Sequence, residues 1–147
     1  MKVHRVQILL GNLLYFLVFS VFVSIDQVTK SSAMLQNLPT FTYNQGISFG
    51  VFSNLSYAIL SSLIICTALI GYFFWRKAVA HAWQSHPYLV LLFAAGAVSN
   101  MVDRVVYGGV RDWLPVPGLG VYNNLADWYI CIAVVVLIIL ELKKDTV

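Results

Sequence analysis

The sequence predicts an all-α membrane protein, four transmembrane helices in one bundle, with a small β-rich extracytoplasmic element. Three observations carry that fold class. Hydrophobic residues make up 60% of the 147 and charged residues only 10%, well outside the range of soluble domains. The apolar residues gather into four long segments. Four of the six acids (Asp26, Asp103, Asp112 and Asp127) abut those segments, while Glu141 and Asp145 lie in the polar C-terminal tail.

A helix needs roughly 20 apolar residues to cross about 30 Å of hydrocarbon. Residues 6–25 form the first such span and carry no charge. Basic residues precede it, as in a secretory signal. Its 20 residues exceed a signal's apolar core and no small-residue cleavage site precedes Asp26, so the segment is expected to be a retained span. The first outward loop, 31–54, alternates polar and aromatic residues over Thr40–Tyr43 and then turns at NQGISFG. That pattern predicts a small sheet lying on the membrane.

The second span, 55–75, is also uncharged, and RKAVAHAWQSH after it is short and basic. The third, 87–104, offers 16 residues, Pro87–Val102, before Asp103, so its helix must take in Asp103 and Arg104. The fourth, 123–142, has a charge-free core of 13 residues, Trp128–Leu140, so its helix reaches back over Asp127 and Asn124. Between them the outward loop 105–122 contains WLPVPGLGVY, whose two prolines and two glycines suit an ordered cap. No repeat, low-complexity tract or linker divides the chain, which predicts a single domain over 1–147.

Lys2, Arg5, Arg76, Lys77, Lys143 and Lys144 fall on one side of this arrangement, against Lys30, Arg104 and Arg111 on the other. The excess places both termini in the cytoplasm. All four membrane-adjacent aspartates then face outward. The net charge of +3 is read as a topology signal, and with no basic stripe interleaved with aromatics it implies no nucleic-acid partner.

The three histidines, His4, His81 and His86, fall on the cytoplasmic side, away from the carboxylates, which excludes a Ser-His-Asp triad or a histidine-ligated zinc there. Cys66 and Cys131 lie within spans with no metal-ligand spacing and read as packing residues. No glycine-rich phosphate loop is present. Neither a metal nor an organic cofactor is implied.

Carboxylates, amides and basic groups remain. Asn100, Asp103 and Arg104 are spaced i, i+3, i+4, on one face of the third helix. Asn124 and Asp127 repeat the i, i+3 spacing on the fourth. Asp26 and Lys30 form an i, i+4 pair if the first helix continues one turn past its apolar run. For Asp26/Lys30 and Asp103/Arg104 the structural reading is favoured, because each acid has a base beside it in sequence. Asp127 has no basic neighbour, and Asp112 follows a Gly-Gly turn where backbone can approach a substrate closely. Two carboxylates brought together by converging helices can share one proton, one acting as base on water while the other donates. The alternative is that these acids serve a proton or ion pathway.

Five blocks, DQVTK (Asp26–Lys30), NQGISFG (Asn44–Gly50), GAVSNMVDR (Gly96–Arg104), GGVRDW (Gly108–Trp113) and NLAD (Asn124–Asp127), resemble the signature of lipoprotein signal peptidase, the bacterial signal peptidase II family. They occur in the family's order across nearly the whole chain. The resemblance implies an aspartyl endopeptidase of the bacterial inner membrane that acts on lipidated prolipoprotein signal peptides, cutting before the diacylglyceryl-modified cysteine. Asp112 and Asp127 would be its catalytic pair, supported by Asp26, Lys30, Asn44, Gly46, Asn100, Asp103, Arg104 and Asn124. The site would lie near the periplasmic face, in contact with membrane lipid, with the Phe41–Phe52 loop and the Trp113–Tyr122 cap closing over it.

The chain departs from the family's pattern at Ser99 (usually glycine), Ser48 (alanine), Asn123 (an aromatic) and Arg111 (an apolar residue). Arg111 is expected to favour ionised Asp112, and Asn123 to alter the pocket wall. Two alternatives stay open: a divergent paralogue with the same pair and another membrane substrate, and a non-enzymatic proton- or ion-coupled protein. The positive-inside count makes a direct prediction. A reporter fused near Gln84 should read cytoplasmic and one near Gly118 periplasmic, and the reverse pattern would put the aspartates at the wrong face for a peptidase.

Overall fold

The computed structural model describes residues 2–45 and 84–144. The second predicted span, 55–75, and Gly46 lie outside the described residues, as does most of the NQGISFG stretch. What is described is mostly helical, with two small antiparallel sheets.

Helix α1 runs from Lys2 to Leu35, well past the predicted boundary at residue 25, so the first residues of the expected outward loop are helical. The sequence holds no glycine or proline between Gly11 and Leu35. The polar side chains of its last turns find partners inside the protein, so nothing stops the helix before Asn37 (φ 49) and Pro39. Helix α2, the third predicted span, is Pro87–Tyr107. Proline at its first position lacks only an N–H that would go unbonded there. Gly108 ends it in the left-handed conformation (φ 72), its N–H bonded to the Arg104 carbonyl, as a helix C-terminus favours. Helix α3, the fourth predicted span, is Leu125–Lys144. It begins later than expected because residue 123 belongs to a strand.

Strand β1 (Thr42–Asn44) pairs with β2 (Val110–Asp112), and β3 (Leu114–Val116) with β4 (Val121–Asn123). The predicted sheet of the first outward loop is therefore completed by the second loop. The expected cap is itself a hairpin, turning through Gly118 (φ 78) and Gly120 (φ 64). Thr40 Oγ1 donates to the Trp113 carbonyl at 2.7 Å and ties the loops together again.

The packing inverts that of a soluble domain. Fully enclosed side chains among the described residues include Asp26, Lys30, Ser99, Asp103 and Asn124, while the buried apolar set is small: Ala33, Leu91, Ala95, Val110, Ala126 and Ala133. Large apolar side chains point outward along the helices, among them Leu9, Phe16, Met101, Val105 and Ile138. A greasy exterior around a polar interior is what hydrocarbon solvent selects. Leu9–Leu35 and Pro87–Tyr107 are long and apolar enough to cross a membrane, with mean hydropathies of 1.9 and 1.7, and Leu125–Leu140 is a shorter apolar stretch.

Aromatic edges join the helices: Tyr15 meets Tyr88 at 5.7 Å between ring centroids, and Phe22 meets Tyr129 at 5.2 Å. The tightest approach is at Gly96. A Cβ there would collide with the Ala126 carbonyl oxygen and lie 2.8 Å from Ile130 Cγ1, so α2 and α3 meet backbone to backbone, as small residues permit in membranes. Gly96→Leu should therefore push α3 off α2 and lower thermal stability in detergent by on the order of 2 kcal/mol. An unchanged melting temperature would contradict this packing.

Candidate active site

The first turn of α3 organises one half of the site. Helix N-termini leave backbone N–H groups without intrahelical partners. Asn124 Oδ1 accepts the N–H of Asp127 at 3.1 Å, an N-cap from the residue just before the helix. Asp26 Oδ1, from α1, accepts the N–H of Ala126 at 2.9 Å, placing an anion where the helix dipole favours one.

Asp26 also accepts the Ser99 hydroxyl at 2.6 Å and pairs with Lys30 at 2.7 Å, the expected i, i+4 contact. Lys30 is enclosed and spends its three donors on Asp26, on Asp103 at 3.3 Å and on Asn100 Oδ1 at 2.9 Å. An ammonium only donates, so the Asn100 amide must turn its oxygen toward Lys30. Its Nδ2 then faces Asp127 Oδ1, at 2.8 Å. The same logic orients Asn124. Its oxygen is committed to the Asp127 backbone N–H, so its Nδ2 reaches Asp112 Oδ1 at 2.6 Å. Asn44 Nδ2 holds the other Asp112 oxygen at 3.0 Å.

Strand alternation decides where Arg111 points. Thr42↔Asp112 and Asn44↔Val110 are opposed on one face of the β1–β2 ribbon, while Tyr43↔Arg111 occupy the other. The Arg111 guanidinium therefore turns away from Asp112, toward α1 and α2. It meets Asp103 at 2.8 and 3.3 Å, Gln27 Oε1 at 2.7 Å and Ser31 Oγ at 3.1 Å, and lies 4.1 Å over the Tyr107 ring. Asp103 also accepts the Arg111 backbone N–H at 2.9 Å.

Two sequence expectations are corrected here. Asp103 is matched by Lys30 and Arg111 in place of its neighbour Arg104, because i, i+1 residues diverge on a helix. Arg111 serves Asp103, so its effect on Asp112 is not the direct ionising contact that adjacency suggested. The Gly-Gly turn is also explained within the protein. Gly108 caps α2, and a Cβ on Gly109 would lie 3.1 Å from the Asn44 carbonyl oxygen, so β1 itself makes the close approach.

Gly46 aside, every residue singled out in the sequence as catalytic or supporting lies in or beside this cluster. Asp112 is buried, while Asp127, Asn44 and Arg104 are half-buried and reach toward the surface. Arg104 lies within electrostatic range of Asp127 and Asp112, and its Nη1 donates to the Asn100 carbonyl at 3.5 Å. Gln27, Ser31, Ser99 and Arg111 were missed as partners. Gln27 and Ser31 form a second i, i+4 polar pair beside Asp26 and Lys30, a signal visible once the first helix is allowed to continue.

The aspartates divide in two. Asp26 and Asp103 are enclosed and matched by Lys30 and Arg111. Asp112 and Asp127 are held by amide N–H groups, which fix a carboxylate without neutralising it. Burial pushes the Asp112 carboxyl up to about 6; the Asn44 and Asn124 hydrogen bonds oppose the rise, and the neighbouring Asp127 charge adds to it. Among the described residues no group of three His, Cys, Asp or Glu side chains is placed to hold a metal ion.

Comparison with known proteins follows the same lines. The family described as signal peptidase (SPase) II matches residues 18–143. A lipoprotein signal peptidase of Chlamydia pneumoniae is 31% identical, over 67% of this chain and 70% of that protein. Its namesake in Syntrophomonas wolfei is 27% identical over 86% and 93%. A bacterial membrane enzyme solved by the in meso method at 1.9 Å resolution superposes with a TM-score of 0.62 at 27% identity, covering 89% of this chain and 93% of the other. The match over residues 18–143, together with these relatives, means that the chain belongs to the signal peptidase II family of membrane proteases.

Proposed function

We propose that the chain is an aspartyl endopeptidase of the bacterial inner membrane that removes signal peptides from prolipoproteins, cutting before the diacylglyceryl-modified cysteine, with Asp112 and Asp127 as its catalytic pair. The observation that carries this reading is the division of the aspartates. Asp26 and Asp103 are engaged by buried cations, whereas Asp112 and Asp127 are held by neutral amide donors.

The chemistry follows from that restraint. Asp112, pushed up to about 6, is the better holder of a shared proton, and half-buried Asp127 is the better placed to take a proton from water. The resulting hydroxide adds to the scissile carbonyl, and the proton on Asp112 goes to the oxygen that becomes negative. Collapse of the tetrahedral adduct then breaks the C–N bond as the proton on Asp127 passes to the leaving amine and the Asp112 carboxylate takes back a hydroxyl proton from the adduct. Asn44, Asn100 and Asn124 keep the two carboxyls aimed while this happens. Lys30 and Arg111 compensate the buried charges that hold the amides in place.

The frame for this chemistry is a single four-span domain with both termini in the cytoplasm and the aspartates at the periplasmic side. A signal peptide is itself an apolar helix, and a diacylglycerol on the cysteine holds the scissile bond at the depth of the helix ends, where Asp112 and Asp127 lie. The β3–β4 hairpin and the β1 loop flank that position from outside.

A purified preparation given a lipidated precursor should release the signal peptide, and an unlipidated control should be cut far more slowly. Asp112→Asn and Asp127→Asn should each lose roughly three orders of magnitude or more, and the double variant should be scarcely worse than either, because groups that act as a unit are not additive. Both single variants should keep their fold. Cleavage by Asp112→Asn near the parent rate would sink the pair, and equal cleavage of the unlipidated control would favour a paralogue with another substrate.

A further inference from the structure

Two buried side-chain polar atoms have no hydrogen-bond partner in the protein, the only ones among the described residues: the indole Nε1 of Trp113 and Oδ1 of Asn123. Their backbones are joined, the Trp113 N–H donating to the Asn123 carbonyl at 2.9 Å, at the open end of the β3–β4 hairpin. Each adjoins the site in sequence. Trp113 follows Asp112, and Asn123 precedes Asn124, whose amide holds Asp112 at 2.6 Å.

Buried polar groups are nearly always bonded, so an orphaned pair calls for a reason. Here the cost was avoidable. A leucine or an aromatic ring at position 123 would leave no acceptor stranded. Asn123 is only 8% exposed, so bulk water does not satisfy it. One orphan is a donor and the other an acceptor, which narrows the chemistry of what completes them. A diacylglycerol ester accepts hydrogen bonds but donates none, so it would satisfy Trp113 and leave Asn123 stranded. An extended peptide residue offers both, because its own N–H and C=O point to the same side.

We propose that Trp113 and Asn123 form a backbone-binding subsite for one extended substrate residue next to the scissile bond. Its carbonyl accepts from Trp113 Nε1, and its N–H donates to Asn123 Oδ1. This rests on the peptidase reading above. The two contacts fix the strand beside Asp112 without reading a side chain, and Asn123 gives this chain a backbone contact that an aromatic there would lack.

The test is a set of lipidated precursors in which residues around the cut are replaced one at a time by the matching α-hydroxy acid, which removes a single N–H. At one position the parent should lose about tenfold in kcat/KM, the effect of one missing hydrogen bond in a desolvated site. Asn123→Leu should show the same loss on the all-amide precursor and almost none further at that position, since both changes delete one contact. Its melting temperature should equal or exceed the parent's. Trp113→Phe, which keeps a ring and removes only the donor, should slow cleavage to a similar extent. A parent insensitive at every position, or Trp113→Phe cleaving at the parent rate, would overturn the subsite, since an ordered water would then be the occupant. Failure of the parent to cleave any lipidated precursor would overturn the peptidase reading instead, and the subsite with it.

Discussion

The Lys30 ammonium is the point on which the site turns. It is fully enclosed, it joins α1 to α2, and its three donors go to Asp26, Asp103 and Asn100. Removing one partner from such a group leaves an uncompensated buried charge, which is strongly destabilising. Because the ammonium can only donate, it also sets which way the Asn100 amide faces, and so which group meets Asp127. A structural cation thereby reaches the Asp127 carboxylate through one oriented amide. Asp26, held by Lys30, carries the same influence to α3 by capping the Ala126 N–H.

Around that point the chain builds two polar layers. The inner one matches Asp26 and Asp103 against Lys30 and Arg111, with Gln27, Ser31 and Ser99 filling the remaining hydrogen bonds. The outer one is neutral in its donors: Asn44, Asn100 and Asn124 hold Asp112 and Asp127. Full cationic pairing would fix a carboxylate as an anion, whereas amide donors leave its protonation free to change. The β1–β2 ribbon joins the layers, because consecutive residues Arg111 and Asp112 point to opposite faces.

Much of this was legible in the sequence. The apolar runs marked α1, α2 and α3, and the shortness of the last two runs showed that polar residues must lie within the helices. The i, i+3 and i, i+4 spacings gathered Asn100 with Asp103 and Asn124 with Asp127, since helical geometry is local. What escaped was non-local. The end of α1 depended on burial of Gln27, Lys30 and Ser31 against other elements, so an apolar count stopped it too early. The partner of β1 lay almost seventy residues away, in GGVRDW. Sequence adjacency misplaced the partners of Asp103 and Arg111, because neighbours in a chain diverge in a helix and alternate in a strand.

The central claim is that Asp112 keeps a proton that can come and go, while the neighbouring buried acids are committed to structure. Infrared titration of the protein with isotope-labelled aspartate carboxyls, in detergent, tests it most directly. A carboxyl band should titrate near pH 6, and the Asp112 contribution to it should be lost in Asp112→Asn. In Asp127→Asn it should persist with a lower midpoint, because the neighbouring charge that raises it is gone. A band near pH 6 that keeps its full amplitude in Asp112→Asn, or no carboxyl titrating near that pH in the parent, would contradict the account.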